Sequence, residues 1–276
     1  MNTGILYICP TPIGNLEDIT LRTLRVLREV DLIAAEDTRH SIKLLNHYKI
    51  KKPMISYHEH NKITKGDILI EKLLEGNNIA LITDAGMPGI SDPGEDIIKL
   101  AIENNIKIVA LPGATAAITA LIISGLPTDK FVFEGFLPSR RKDRIVELER
   151  LKSEERTIIL YEAPHRILEL LKDMEDVLEN RQIAIVRELT KIHEEIFRGS
   201  IEEARKKYEL ESPRGEFVLI LEGGKLTEID PYENISIKEH IISYMEDGLS
   251  KRDAVKKVAE IRKVPKNLVY KESLDI

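Results

Sequence analysis

One cysteine, Cys9, is all that the 276 residues offer. No disulfide framework can be built from it, and it fits a reducing compartment. No apolar run reaches the roughly 18 residues that a membrane span needs. The opening MNTGILYICPTP has no basic segment ahead of its short apolar stretch, so no signal peptide is expected and a cytoplasmic location is. Neither G-x-G-x-x-G nor G-x-x-x-x-G-K-[ST] occurs, which removes the dinucleotide fingerprint and the P-loop. The nucleophile elbow G-x-S-x-G is missing as well. So is an excess of positive charge: 41 Lys and Arg face 47 Asp and Glu, a net of −6. That excludes a protein coating nucleic acid through a diffuse positive field, but leaves room for local basic patches.

What is present is a large apolar content, 42% of the chain, which rules out disorder and is ample for two ordinary cores. Short β-branched runs alternate with helical periods from the start. Residues 5–9, 31–35, 54–57, 78–83 and 106–111 read as strands. Leu21, Leu24, Leu27 and Val30 mark one face of a helix, and further helices run through Leu44 and Leu45, around 68–74 up to Gly76, and over 114–124. Gly125-Leu126-Pro127-Thr128 then stops the series. A second series follows, with strands at 131–136, 157–162, 182–188, 194–198 and 216–222 and helices at about 141–153, 165–179 and 200–208. The gap from Glu188 to Glu194 is too short for a crossover helix, so that pair should be antiparallel.

The expected fold class is therefore α/β, with an N-terminal α/β domain over 1–125 on a mostly parallel sheet and a second over 128–224 on a mixed sheet. A small helical extension over 236–276 completes it. There Ile237, His240, Ile241, Tyr244 and Met245 share one helix face, and Ala254, Val255, Val258 and Ala259 share another. Ser250 and Asp253 are spaced as a capping box, and Pro265 can open a third helix. From Leu249 onward the tail holds eight basic residues against four acidic ones.

Ligands of open α/β sheets sit beyond the carboxyl ends of the strands, so the loops there carry the chemistry. The first, from Pro10 to Asp18, is stiffened by Pro10 and Pro12. In the second, Glu36 and Asp37 can cap a helix or act chemically. Arg39 at the positive end of that helix has no structural justification, so it reads as an anion contact. The third, Thr83 to Gly94, packs three glycines, two prolines and two aspartates into twelve residues. Its glycines admit close backbone approach and its carbonyls and carboxylates suit a cationic or hydroxyl-rich ligand. Leu111 to Ala117 is a tight turn into a helix of small residues, and Tyr161 to Arg166 can face these loops from the second domain. His58 and His60 form a close pair but lack a third ligand at fixed spacing, so no metal is assigned. Cys9 lies inside an apolar strand and reads as a packing residue.

The segments TPIGNLEDIT, LIAAEDTRH, LITDAGMPGISDPG, ALPGATAAITAL, EGFLPSRRKDR, LYEAPHRI, VRELTKIHEE and PRGEFVLI, in this order, resemble the tetrapyrrole-methylase superfamily. The first loop, Thr11-Pro12-Ile13-Gly14-Asn15, departs from the G-x-G-P-G-D of porphyrin enzymes. The third lacks their G-D-P, so the likeness runs to the superfamily's ribosomal RNA 2′-O-methyltransferases. The resemblance implies two α/β domains of the tetrapyrrole-methylase type, a homodimer, and S-adenosyl-L-methionine bound between the domains. It implies 16S rRNA or the small ribosomal subunit as partner, with neither membrane nor metal. It places the cofactor against Asp84, Ala85, Gly86, Ile90, Thr115, Ala116, Ala163, Leu189 and Gly215. A sulfonium is a cation, which carbonyls and a carboxylate stabilise. On the RNA it places Arg39, Arg140, Arg141, Lys142, Arg144, His165, Arg166 and Arg214, as phosphate contacts.

Methylating a ribose 2′-oxygen is one in-line displacement that needs the hydroxyl proton removed. Glu36, Asp37, Glu162, His165, Glu188 and Lys191 are the candidates, with the pairs Glu36/Asp37 and Glu188/Lys191 preferred. Two rival readings remain: C-methylation of a tetrapyrrole or other small molecule, and a non-catalytic ribosomal RNA-binding protein. The third loop argues against the latter, which has no use for a cofactor cage.

Overall fold

The alternation of strands and helices is realised in a computed structural model describing residues 3–211, 213–224, 232 and 235–276. Strands β1 (Ile5–Ile8), β2 (Leu32–Ala35), β3 (Met54–Ser56), β4 (Ile79–Ile82) and β5 (Lys107–Ala110) make a parallel sheet in the order β3-β2-β4-β1-β5. β4 is buried along its whole length, which is why it reads Ile-Ala-Leu-Ile without alternation. Helices α1 (Leu21–Glu29), α2 (Thr38–His47), α3 (Lys62–Leu74), α4 (Glu95–Glu103) and α5 (Ala116–Ser124) connect and follow these strands. One apolar cluster gathers Leu27, Val30, Ile33 and Leu45, and another Leu6, Leu69, Leu73 and Ile97. Leu21 belongs to neither. It is 86% exposed, so the buried stripe of α1 is Leu24, Val26 and Leu27, closed by Val30.

The second sheet, in the order β6-β7-β10-β8-β9, uses β6 (Phe131–Phe136), β7 (Thr157–Glu162), β8 (Gln182–Arg187), β9 (Glu195–Ser200) and β10 (Phe217–Leu221). Only β6 and β7 are parallel. β8 and β9 pair antiparallel, as their short connection requires. Helices α6 (Arg141–Leu151), α7 (Ile167–Leu178) and α8 (Ile201–Leu210) bury Leu148, Leu171, Met174 and Tyr208 in a cluster with Phe217 and Leu219. A separate cluster joins Ala117, Ala120 and Leu121 of α5 to Ile159, Ala184, Val186 and Ile220. α5 thus fastens the first sheet to the second, and each large side chain buried this way contributes about 1.5–3 kcal/mol.

Both sheets belong to one compact unit, Met1–Gly224; Lys225–Ile276 forms another. In the latter, α9 (Ile237–Glu246), α10 (Lys251–Ile261) and α11 (Lys266–Glu272) enclose Ile241, Ala254, Val255, Val258 and Val269. Ser236 and Glu239 form a capping box on α9, and the Ser250 hydroxyl accepts from the Asp253 amide on α10. Arg252, Lys256 and Lys257 point to solvent, away from the apolar stripe, while Lys251 is half-buried and donates to the Ile276 carbonyl at 3.1 Å. Among the described residues no helix is long and apolar enough to cross a membrane.

Candidate functional site

β1 and β4 are neighbours, but the chain leaves them in opposite directions, toward β2 and β5, and a crevice opens beyond their carboxyl ends. Across it the first and third loops are stitched together. Thr11 and Gly86 exchange two backbone hydrogen bonds, at 2.9 and 3.1 Å, and the Thr11 hydroxyl donates to the Thr83 carbonyl at 3.0 Å. The bridge holds Gly86 at φ +80, a left-handed conformation that glycine adopts without strain.

Against this bridge lies a cavity of about 290 Å³. Its walls are Ala85, Gly86 and Ile90 of the third loop, Thr115 and Ala116 at the start of α5, and Ala163 and Leu189 from the second sheet. Seven of the nine residues expected around the cofactor therefore converge. The other two stand behind the wall: Asp84 lines an adjoining chamber. Gly215, at φ +84, packs so tightly beneath Glu188 that a Cβ there would sit 2.3 Å from its carboxylate. Tyr161, expected to face these loops, is a further wall, and Ile13, Asp92, Phe136 and Glu216 join it without having been assigned to the cofactor from the sequence. The Tyr161 hydroxyl accepts from the Ala117 amide at 3.1 Å, satisfying a donor at the start of α5 where no side chain caps the helix. Its ring meets Phe133 and Phe136 edge-on. A register shift in β6 between Phe133 and Gly135 accompanies the placement of Phe136 in this wall, the usual use of a bulge beside a site.

The electrostatics of the cavity are those of a cation site. Burial, and then the charges of Glu36, Asp84 and Glu216, push the Asp92 carboxyl up to about 6. Burial raises Glu36 as well, although it accepts from the Asp84 amide at 3.3 Å. Carboxylates that repel one another in a half-buried wall are relieved by a positive ligand.

Two chambers adjoin this cavity. One, of about 500 Å³, lies between the first loop, α2 and Lys191, and shares Ile13, Ala85 and Glu216 with it. The other, of about 610 Å³, shares Ile90, Ser91 and Asp92, and is bordered by Glu36, His58, Glu59 and His60. In the wall of the first chamber stands Lys191, its Nζ 2.9 Å from Glu188 Oε1 and 3.4 Å from Glu216 Oε2. Burial works against the Lys191 charge, but its bond to Glu188 and the charge of Glu216 outweigh it and raise its pKa. The Lys191 bond correspondingly holds Glu188 below the usual carboxylate range. The backbone beneath is strained, with Glu188 at φ 51 and Thr190 at φ 65, each costing about 1–2 kcal/mol. It is held by the Thr190 amide donating to Glu194 at 2.7 Å and by the Asn15 amide donating to the Thr190 hydroxyl at 3.1 Å.

Several residues play parts other than those expected. Asp37 is the N-cap of α2, accepting from the Arg39 amide at 2.8 Å and pairing with the Arg39 guanidinium. The guanidinium bonds, first of all, pull its carboxyl down to about 2, which makes it a poor base near neutrality. Arg39 likewise has a structural reason to stand at a positive helix end, its bond to the cap, although its side chain remains 90% exposed. Arg144 cannot meet RNA: it is 2% exposed, with its guanidinium 2.6 Å from buried Asp173. Arg166 is also committed to the interior, 3.2 Å from Glu162 and donating to the Leu137 carbonyl at 2.7 Å. Arg141 bonds the same Asp173 at 2.7 Å from its solvent-facing side. Arg140, Lys142, His165 and Arg214 are exposed. Burial pushes the Cys9 thiol up to about 12, as a packing residue allows. Among the described residues no three His, Cys, Asp or Glu side chains are grouped to hold a metal.

The family model for tetrapyrrole (corrin/porphyrin) methylases matches residues 5–205. A Bacillus subtilis protein named ribosomal RNA small subunit methyltransferase I is 49% identical over 271 residues, covering 97% of this chain and 93% of that one. The Halalkalibacterium halodurans protein of the same name is 50% identical over 270 residues with the same coverage. The Thermotoga maritima protein of that name is 46% identical over 220 residues, which is 99% of that protein but only 80% of this chain. Among solved structures, diphthine synthase superposes with a TM-score of 0.63 at 13% identity, over 79% of this chain and 89% of that one. A cobalt precorrin-4 methyltransferase of cobalamin biosynthesis gives 0.61 at 17% identity, over 79% and 94%. At such identities the likeness is one of fold.

Proposed function

The chain belongs to the tetrapyrrole (corrin/porphyrin) methylase family, and from that premise we propose that it transfers a methyl group from S-adenosylmethionine to RNA of the small ribosomal subunit. The acceptor is the ribose 2′-oxygen of a cytidine near the decoding centre of 16S rRNA. The observation that carries this reading is the carboxylate-rimmed cavity, which shares Ile13, Ala85 and Glu216 with a second chamber that Lys43 and Lys191 line. A sulfonium fits the first and a nucleic acid fits the second. The name shared by relatives 49–50% identical supports the RNA branch over a porphyrin substrate. Such a substrate places the enzyme in the cytoplasm. A homodimer is part of the same reading, and Ile118 and Ile122, exposed one turn apart on α5, offer it an apolar contact.

When bound, S-adenosylmethionine supplies an electrophilic methyl on a positively charged sulfur. Ala85, Gly86, Ile90, Thr115, Ala116, Ala163 and Leu189 hold it, with Asp84 and Gly215 behind, while Asp92 and Glu36 balance its charge. Lys191, fixed by Glu188 and Glu216, orients the 2′-hydroxyl and stabilises the negative charge that develops on its oxygen, while the hydroxyl proton passes to the Glu216 carboxylate, which lines both the cavity and the second chamber. Exclusion of water by Phe136 and Tyr161 strengthens both effects. Comparing 2′-O-methyl maps of 16S rRNA at nucleotide resolution, from cells with and without the gene, tests the proposal. Loss of one cytidine methylation is expected; identical maps refute it.

The Asp92 carboxyl gives the cofactor site a pH dependence. Its folded value of about 6 lies above the ordinary 3.8. Between these values the native state holds more protons than the unfolded one, so the free protein loses stability as pH rises through that window. A bound cation favours the ionised form, so affinity moves the other way. It should rise about tenfold from pH 5 to pH 7 and then level off, following the ionised fraction. Calorimetry across that range should show the rise in the wild type and a flat profile in Asp92→Asn. A flat wild-type profile removes Asp92 from the cofactor's surroundings.

The second compact unit, 52 of 276 residues or about a fifth, has the same share as the part of this chain without counterpart in the Thermotoga maritima relative. Removing residues 225–276 should therefore leave S-adenosylmethionine affinity within about twofold. Methylation of small subunits should fall, because the exposed Arg252, Lys256 and Lys257 go with it. Loss of cofactor binding would instead make the unit part of the catalytic fold.

A further inference from the structure

Ser41, on α2, is a residue that the methyl-transfer reading leaves unused. Its side chain is 2% exposed and its hydroxyl has no hydrogen-bond partner. A helical serine can bond the carbonyl one turn back, and a buried hydroxyl that bonds nothing costs stability. This one lines the chamber of about 500 Å³ that adjoins the cofactor cavity.

We infer that this chamber is the pocket for the target nucleotide, turned out of the RNA stack, and that the Ser41 hydroxyl bonds it there. The inference rests on the RNA-methylation reading and adds a subsite to it. An enzyme that selects one nucleotide within a stacked strand can hold it in a pocket of its own, at the cost of unstacking it. The chamber shares walls with the cofactor cavity, so a ribose seated in it is presented across Ile13, Ala85 and Glu216. Charge selects it over the larger chamber on the opposite side. That chamber is bordered by the carboxylates of Glu36, Glu59 and Asp92, which repel a phosphate. The Ser41 chamber has Lys43 for the phosphate, Lys191 for the ribose, and Pro12 and Leu44 as apolar surface for a base. Its Asp84 carboxylate can accept from the exocyclic amine of a cytosine.

The test compares wild type, Ser41→Ala and Ser41→Phe in full-length protein. Three quantities are read: transfer of labelled methyl to unmodified small subunits or 16S rRNA, S-adenosylmethionine affinity, and Tm. Removing an unpaired hydroxyl takes nothing from the fold, so Ser41→Ala should keep or raise Tm and bind cofactor within about twofold. Its kcat/KM for RNA should fall about tenfold, the value of one lost hydrogen bond. Ser41→Phe fills the chamber and should stop transfer while still binding cofactor; if it does not fold, Ser41→Ala decides alone. Wild-type kcat/KM in Ser41→Ala overturns the pocket and leaves the RNA reading standing. A lowered Tm or lost cofactor affinity overturns it too, making Ser41 part of the fold or of the cofactor site. A wild type that methylates no small-subunit RNA overturns the RNA reading and the pocket with it.

Discussion

Gly86→Val should abolish S-adenosylmethionine binding, weakening it by more than about a hundredfold, in a protein that still folds. At φ +80 a β-branched residue is strained by about 1–2 kcal/mol, against which the backbone must turn. Turning it breaks the paired hydrogen bonds to Thr11 and drags Ala85 out of the cavity wall. The added side chain meets Ile13 and the Ala114 carbonyl, with Cβ itself already 3.4 Å from Ile13 Cγ2. Each effect is modest alone. Together they fall on a cavity of about 290 Å³, in which a cofactor has no alternative position. The parallel sheet does not depend on the bridge, so circular dichroism should match the wild type. Titration calorimetry showing a folded variant with affinity within threefold of wild type would remove the third loop from the cofactor site.

Lys191→Met should lower methyl transfer by about a hundredfold or more, at the lower end of what a positioned proton-handling or charge-stabilising group supplies. The cofactor effect should have the opposite sign. Lys191 lies beside a site for a cation, bonded to Glu216 of the cavity wall, so removing its charge frees a carboxylate. S-adenosylmethionine affinity should stay level or improve. That split separates an acting lysine from a merely supporting one, whose loss would let the strained Glu188–Thr190 turn relax and weaken cofactor and RNA alike. Single-turnover rates with saturating cofactor, alongside calorimetry, read both numbers. Equal losses would make Lys191 a brace for the loop.

The strands were legible because their burial is written in composition: Ile-Ala-Leu-Ile for a strand covered on both faces, and a gap too short for a helix between Glu188 and Glu194. The third loop was legible because so many glycines and prolines make no sense in a plain connection. The cations were not. Arg140, Arg141, Lys142 and Arg144 read as one patch, yet the turn of α6 carries Arg144 inward to Asp173, 29 residues away in the chain and invisible to local pattern. Asp37 and Arg39 looked like chemistry because a cap and its partner use the same residue types as a catalytic pair. Asp92 and Glu216 acquire their roles only where two sheets meet, and nothing in spacing foretells that meeting.

The position of α5 has a consequence for how the chain is made. Its residues Ala117, Ala120 and Leu121 are covered by Ile159, Ala184, Val186 and Ile220, all of them synthesised later. The cofactor cavity likewise draws its walls from Ile13 through Val218. On the ribosome the parallel sheet can therefore form first, but it must wait with an uncovered apolar helix until the last strand, β10, has emerged. Throughout that interval the nascent enzyme is sticky and catalytically blank, and one late event removes both conditions.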